Sequence, residues 1–141
     1  MLKVSFCCPV VQGYGQTESS GAISISFTTD NASGHVGGPL RNCEVKLIDV
    51  PELNYYTTNV TEDGEALPQG EICFRGQNAF KGYFKNETET DAIVDEEGFI
   101  HTGDIGQIHT NGSIRIIDRV KNIFKLSHGE YICPSRLEEL Y

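Results

Sequence analysis

The sequence predicts a mixed α/β fold for a chain of 141 residues, and three observations favour that class. Apolar and polar residues alternate in short runs such as residues 43–50, as is typical of strands with one buried face. The pair Asn111-Gly112 lies between two isoleucine-rich runs, which indicates a β-hairpin. Asn86 is followed by glutamates and then by apolar residues, which predicts a capped helix.

The first half of the chain is predicted to be mainly strand and loop. Residues 2–6 alternate like a strand, and residues 13–21 are predicted as a glycine-bounded loop. Residues 43–50 and 70–76 predict two strands. The stretch between them is rich in Pro, Asn, Thr and Gly, so we expect it to be a loop.

The second half carries the helix and the hairpin. The helix is predicted to begin after Asn86, where the acidic first turn suits the helix dipole. The hairpin is predicted over residues 104–118, with Asn111 and Gly112 as the central pair of a type I′ turn. A further helix is predicted to begin at Pro134.

Composition excludes some classes of protein. The chain has 20 acidic and 11 basic residues, a formal net charge of −9, and a nucleic-acid binder would need a basic face to neutralise phosphates. We therefore expect no nucleic-acid partner. No run approaches the roughly 20 apolar residues of a membrane helix, so any membrane association is expected to depend on segments absent from this chain.

The cysteines and histidines show no metal-ligand pattern. The chain has 5 cysteines, an odd number without metal-like spacing, which predicts reduced and mostly buried thiols in a cytosolic-type compartment. His101, His109 and His128 lack the mutual spacing of a metal site, and His35 is isolated. No histidine is therefore assigned to catalysis.

The stretch GYGQTESSG at residues 13–21 is a candidate binding site. Its glycines surround an aromatic ring, a hydroxyl and a carboxylate at Tyr14, Thr17 and Glu18. Glycine lets a backbone approach a ligand closely, and these three side chains suit a base, a phosphate and a metal ion. An ordinary polar turn after a strand is the alternative, because an isolated glycine motif is weak evidence.

Three later motifs follow this stretch. They are GEICFRGQNAFKGYFKNETET at 70–90, GFIHTGD at 98–104 and IIDRVKNIFKLSHGEYICPSRLEELY at 116–141. Together with YGQTE, they resemble the ordered motifs of the adenylate-forming (AMP-binding) superfamily, which includes acyl-CoA synthetases, luciferases and peptide-synthetase adenylation domains. FKLSHGEYICPSRLE and NCEVKLIDVPELNYY resemble the eukaryotic long-chain fatty acyl-CoA synthetases. The resemblance covers essentially the whole chain.

This resemblance implies the activity of a long-chain fatty acid–CoA ligase. Such enzymes join a fatty carboxylate to the α-phosphate of ATP, release pyrophosphate, and then transfer the acyl group from the acyl-adenylate to coenzyme A with release of AMP. It implies ATP or AMP, Mg²⁺ and coenzyme A as cofactors. It also implies a cytosol-facing position at the endoplasmic reticulum, outer mitochondrial or peroxisomal membrane.

Residue by residue, the resemblance implies a nucleotide site in the first motif. Tyr14, between Gly13 and Gly15, would pack its ring on adenine. Thr17 would offer its hydroxyl to the α-phosphate, and Glu18 would coordinate Mg²⁺, a hard cation that takes oxygen ligands. Thr17 and Glu18 are therefore the candidate catalytic residues. A capping or surface role for Glu18 is the alternative.

The later motifs would complete that site. Asp104 would accept hydrogen bonds from the ribose hydroxyls, because a carboxylate can take two donors at once. Arg119 would reach the ribose and phosphates with its fork of donors. Lys121 would be the hinge of the C-terminal domain, with simple solvent exposure as the alternative. The turn expected near the coenzyme A channel consists of Ser127, His128 and Gly129.

The resemblance also implies a division of the chain. Residues 1–39 would end the large α/β subdomain, residues 40–118 would form a small antiparallel β-barrel-like subdomain, and residues 119–141 would be the hinge and the start of the α+β lid. The family's phosphate loop and lid lysine match nothing in the chain. We therefore expect the isolated chain to be inactive and to need the remainder of a synthetase. The alternatives are a non-catalytic nucleotide-binding or interaction fragment, and a ligase for another carboxylate.

Overall fold

Two antiparallel sheets form most of the described chain in the computed structural model, which describes residues 5–122, 124–125 and 131–132. The first sheet has the strand order β1-β2-β3 and the second the order β4-β5-β6-β7. A short pair, β8-β9, follows. The strands are β1 (Gly13–Gln16), β2 (Gly21–Ile25), β3 (Gly38–Pro39), β4 (Cys43–Ile48), β5 (Gln69–Gly76), β6 (Ile100–Ile108), β7 (Ile114–Arg119), β8 (Phe124–Lys125) and β9 (Tyr131–Ile132).

The α-helix α1 (Glu87–Ile93) begins where the sequence predicts it. The side chain of Asn86 caps it by accepting the backbone N–H of Glu89 at 3.3 Å. The helix ends because Val94 turns to an extended conformation and bridges to Ile100. Together with the two sheets, this helix confirms the mixed α/β class. Among the described residues, no helix combines the length and apolarity needed to cross a membrane.

The strands predicted over 43–50 and 70–76 are confirmed. They are β4 and β5, which pair antiparallel from Cys43 opposite Gly76 to Ile48 opposite Glu71. The loop predicted between them contains a short 3₁₀ helix at Pro51–Leu53.

Residues 13–21 form a β-hairpin, so the predicted loop is wrong. The strands β1 and β2 pair across a 3₁₀ helix, Thr17–Ser19. The buried Ser19 holds this connection, since its Oγ accepts the backbone N–H of Gln16 at 2.9 Å and donates to the carbonyl of Gly21 at 2.6 Å. Alternation could not reveal β1, because its four residues, GYGQ, include a single large apolar side chain.

The hairpin β6-β7 is present, but its turn is not type I′. The backbone N–H of Gly112 donates to the carbonyl of His109 at 2.8 Å, and His109 in turn pairs with Ser113 at 2.9 Å. Gly112 has a φ of 80°, whereas Asn111 is not among the residues with positive φ. A type I′ turn requires positive φ at both central residues. A longer loop with glycine in the left-handed position therefore replaces the predicted turn.

Two further predictions are wrong: the strand at the start of the chain and the burial of most cysteines. Ser5 and Phe6 lie in a helical turn, so the strand predicted over 2–6 is wrong where it is described. Of the four cysteines in the described part, Cys73 alone is buried; Cys43 is half-buried and the other two are exposed. The helix predicted at Pro134 lies outside the described residues.

The core lies between the first and second sheets. Ile23 from β2, Phe74 from β5 and Ile100 from β6 form its buried cluster. The segment before β3 also joins β7, because Val36 donates to Ile114 and Ile114 donates to Gly37, both at 2.8 Å. These contacts fix the hairpin β1-β2 against the sheet that carries β6.

Candidate nucleotide site

Three residues that the sequence assigned to a nucleotide site lie together, with two of them bonded to the carboxylate of the third. The Tyr14 hydroxyl on β1 donates to Asp104 Oδ2 on β6 at 2.8 Å. Arg119 on β7 lies opposite Asp104 in the sheet, and its Nε donates to Asp104 Oδ1 at 2.9 Å. Oδ1 therefore accepts a charge-assisted hydrogen bond from Arg119, and Oδ2 accepts one from the phenol of Tyr14.

Asp104 is a buried carboxylate paired with Arg119, and its surroundings keep Tyr14 protonated. The Asp104 side chain is 9 % exposed, while that of Arg119 is 61 % exposed. A carboxylate buried to this extent needs a partner of opposite charge, which Arg119 supplies. Burial raises the pKa of the Tyr14 phenol well above its ordinary value, and the nearby Asp104 charge raises it further. The hydrogen bond to Asp104 also raises the pKa of Arg119.

A bulge in β6 orients Asp104. Three residues of β6, 102–104, face the single residue Ile72 of β5. Gly103 adopts a φ of 70° there, a conformation that glycine takes without strain. The Thr102 hydroxyl donates to the Ile72 carbonyl at 2.7 Å and accepts the backbone N–H of Asp104 at 3.1 Å. The motif HTGD thus forms the bulge from which the Asp104 side chain reaches Tyr14 and Arg119.

Glu71 supports this bulge, and sequence reasoning gave it no role. Its Oε1 accepts the backbone N–H of Gly103 and its Oε2 contacts His101 Nδ1, both at 2.9 Å. Cys73 lies beside them, with the three ligand atoms within 4.8 Å of one another. Burial raises the pKa of the Cys73 thiol to about 12, so it stays protonated. We interpret the cluster as structural. A glutamate directly before the apolar run 72–74 of β5 was the sequence signal for it.

Glu18 lies on the 3₁₀ helix between β1 and β2, and a loop after β5 holds it. The Tyr83 hydroxyl donates to Glu18 Oε1 at 2.5 Å, and the backbone N–H of Phe80 donates to the Glu18 carbonyl at 2.8 Å. The hydrogen bond with Glu18 raises the pKa of Tyr83 to about 12. Thr17, next to Glu18, is exposed. Sequence reasoning gave Tyr83 no role and missed its contact with Glu18.

The two glycines beside Tyr14 differ in their surroundings. A Cβ at Gly15 would lie 2.0 Å from the carbonyl oxygen of Gly21, whereas at Gly13 the nearest atom would be 3.5 Å away. The close approach at Gly15 is therefore between the two strands of the hairpin.

The later predicted residues are described in part. Lys121 is exposed within the 3₁₀ helix Val120–Asn122, directly after β7. Its role as a hinge stays a prediction. The predicted coenzyme A residues Ser127, His128 and Gly129 lie outside the described residues.

A comparison with protein families gives a match over residues 1–84 to the AMP-binding enzymes. The chain belongs to this family. It is 52% identical over 140 residues to fatty acyl-CoA synthetase A of Dictyostelium discoideum, covering 99% of the chain and 20% of that protein. It is 53% identical over 140 residues to the peroxisomal long chain acyl-CoA synthetase 7 of Arabidopsis thaliana, covering 99% of the chain and 19% of that protein. The predicted superfamily and its long-chain branch are confirmed.

Solved structures of adenylation domains have the same fold. The A domain of carboxylic acid reductase from Segniliparus rugosus, in complex with AMP and a co-purified carboxylic acid, matches with a TM-score of 0.80 and 32% identity. That match covers 97% of this chain and 20% of the reductase chain. The chain thus spans about a fifth of the length of the curated relatives and solved structures named above.

Proposed function

We propose that this chain forms part of the nucleotide site of a long-chain fatty acid–CoA ligase, which converts fatty acid, ATP and coenzyme A to acyl-CoA, AMP and pyrophosphate. The observation that carries the proposal is the buried Asp104 carboxylate, held between Tyr14 and Arg119. The names of the Dictyostelium and Arabidopsis relatives support the substrate class.

Asp104 fits the role of ribose acceptor. A carboxylate offers about four lone-pair sites, and Tyr14 and Arg119 use one on each oxygen. Sites for two ribose hydroxyls therefore remain without displacing either partner. The hydrogen bond from Tyr14 to Asp104 also holds the Tyr14 ring next to Asp104, and from there the ring can stack on adenine.

Glu18 fits a ligand of Mg²⁺. Magnesium prefers hard oxygen ligands and binds proteins through one or two carboxylates together with substrate phosphates. Tyr83 occupies Glu18 Oε1 and leaves Oε2 for a further ligand. A bound Mg²⁺ would neutralise phosphate charge. The exposed Thr17 hydroxyl lies on the same short helix and can donate to the α-phosphate.

The chemistry assigned to these residues is positioning and charge stabilisation. Tyr14 and Asp104 orient the nucleoside, while Thr17 and Arg119 donate hydrogen bonds toward the phosphates. We assign the movement between the two half-reactions to a hinge at Lys121. The coenzyme A contact is assigned to Ser127, His128 and Gly129.

The test is a chimera in which this chain replaces the matching 140 residues of the Dictyostelium synthetase. We expect ATP-dependent synthesis of palmitoyl-CoA at a rate comparable with the parent enzyme. A folded chimera that makes no acyl-CoA would contradict the proposal. We expect no turnover from the 141-residue chain by itself, because the family's phosphate loop and lid lysine have no match in it.

A nucleotide-binding fragment without catalysis is the second candidate. The Tyr14, Asp104 and Arg119 contacts favour it, since they form entirely within the described chain. Calorimetric titration of the isolated chain with AMP tests it, with Asp104→Ala as the control. Equal and negligible heats from both proteins would exclude an autonomous site.

For location, we propose a cytosol-facing position at an organelle membrane, reached through segments other than those described. The peroxisomal name of the Arabidopsis relative supports the organelle part of this assignment. Fractionation of cells expressing the complete protein checks it, and recovery in the soluble cytosol alone would contradict it.

Substituting Gly103 by alanine is expected to weaken AMP binding by the chimera as well as its stability. The φ of 70° costs a non-glycine residue about 1–2 kcal/mol, and the strain is relieved by moving the bulge that orients Asp104. Gly64→Ala is the matched control, because Gly64 has a φ of 80° and, like Gly103, has no atom within 4 Å of an added Cβ. Urea unfolding should show similar losses for both variants, and calorimetry should show weaker AMP binding for Gly103→Ala alone. Equal AMP affinities would argue against the bulge as the determinant.

A further inference from the structure

The loop that follows β5 contacts Glu18 at two points. The backbone N–H of Phe80 donates to the Glu18 carbonyl at 2.8 Å, and the Tyr83 hydroxyl donates to Glu18 Oε1 at 2.5 Å. Tyr83 lies 65 positions after Glu18, so this is a tertiary contact between the loop and the hairpin connection. The loop after β5 therefore contacts both the backbone and the side chain of Glu18.

The tyrosine ring is itself fixed by its neighbours. Phe80 packs edge-on against it, with ring centroids 5.0 Å apart and an interplanar angle of 75°. The backbone N–H of Tyr83 donates to Thr90 Oγ1 on helix α1 at 2.9 Å. Gly82 makes room for this contact, because a Cβ there would lie 2.9 Å from Thr90 Cγ2. Phe80 and Thr90 thus restrict the ring and backbone of Tyr83 through contacts other than the one with Glu18.

We propose that Tyr83 is a positioning residue that holds the Glu18 carboxylate in the orientation in which it binds Mg²⁺ beside the nucleotide phosphates. This inference rests on the proposed function of Glu18. A glutamate on a partly exposed 3₁₀ helix has several accessible rotamers, and a donor fixed on Oε1 selects one of them and directs Oε2 outward. Groups that orient a metal ligand in this way typically change metal affinity or activity by about 10–100-fold when removed.

The variant Tyr83→Phe in the chimera tests the proposal, because it removes the hydroxyl and keeps the ring against Phe80. The Mg²⁺ concentration for half-maximal rate should rise about tenfold, while kcat at saturating Mg²⁺ should change little. Tyr56→Phe is the matched control, since it removes a half-buried phenol hydroxyl from the loop before β5. Its Mg²⁺ dependence should equal that of the unsubstituted chimera.

A direct metal titration distinguishes a failure of the positioning role of Tyr83 from a failure of the metal-binding role of Glu18, on which the proposal rests. Free Mn²⁺ is followed by electron paramagnetic resonance in the presence of AMP for Tyr83→Phe, Glu18→Gln and the control. Weaker Mn²⁺ binding by both site variants supports the proposal. Weaker binding by Glu18→Gln alone overturns the positioning role and leaves the metal role. Unchanged binding by Glu18→Gln overturns both.

Discussion

Replacing Gly15 by alanine is expected to disrupt the β1-β2 hairpin and to lower the free energy of unfolding by about 3 kcal/mol or more. The new Cβ would lie 2.0 Å from the Gly21 oxygen and 2.9 Å from Ala22 Cα. Both are backbone atoms, so no change of side-chain rotamer relieves the overlap. The strands would have to separate, and Tyr14 would lose its position against Asp104.

Gly13→Ala is the matched control for this prediction. It lies in the same strand, but its Cβ would have its nearest neighbour, the Ser24 oxygen, at an ordinary 3.5 Å. We expect a change within about 1 kcal/mol for this variant, measured by urea unfolding. Similar losses for the two variants would contradict the assignment of Gly15 to hairpin packing.

Asp104→Asn is expected to weaken AMP binding by about 100-fold in the chimera. The substitution keeps the shape of the side chain but removes its charge and one of its acceptor oxygens. Hydrogen bonds to a charged group contribute about 1.5–3 kcal/mol each, and the proposed site has two from the ribose. Loss of the charge also removes the ionic partner of Arg119, which lies at 2.9 Å. Calorimetric titration with AMP measures the effect.

Asp118→Asn provides a control matched in burial. Counted over the whole residue, Asp118 and Asp104 are both 7% exposed, and Asp118 lies on the neighbouring strand β7. Its Oδ1 accepts the backbone N–H of Arg119 at 2.6 Å, so the substitution perturbs the same strand without changing the proposed ribose acceptor. We expect reduced stability with AMP affinity nearly unchanged. A comparable loss of affinity in both variants would indicate a general effect of buried charge.

Much of the fold could be predicted because its signals are local. The strands β4 and β5 alternate clearly, and Asn86 caps a helix with the hydrogen bond that its side chain predicts. The turn of the β6-β7 hairpin was predicted less well, since Asn-Gly fits more than one turn geometry. The hairpin over 13–21 was missed, because its first strand, GYGQ, has a single large side chain and so shows no alternation.

The sequence alone predicted the family correctly and indicated several residues of the candidate site. The ordered motifs place Tyr14, Asp104 and Arg119 in one family pattern, and these side chains lie around one carboxylate in the structure. The chemistry of the site requires particular residue types at fixed positions along the chain. Such requirements are visible as motifs in the sequence.

How those residues are held in place could be seen only in the three-dimensional structure. The contacts of Glu71 with Gly103 and of Tyr83 with Glu18 join residues 32 and 65 positions apart. Whether such side chains meet depends on the bulge in β6 and on the return of the loop after β5. Neither the bulge nor the loop produces a recognisable pattern in the nearby sequence, because a hydrogen bond between distant segments depends on the packing of whole strands.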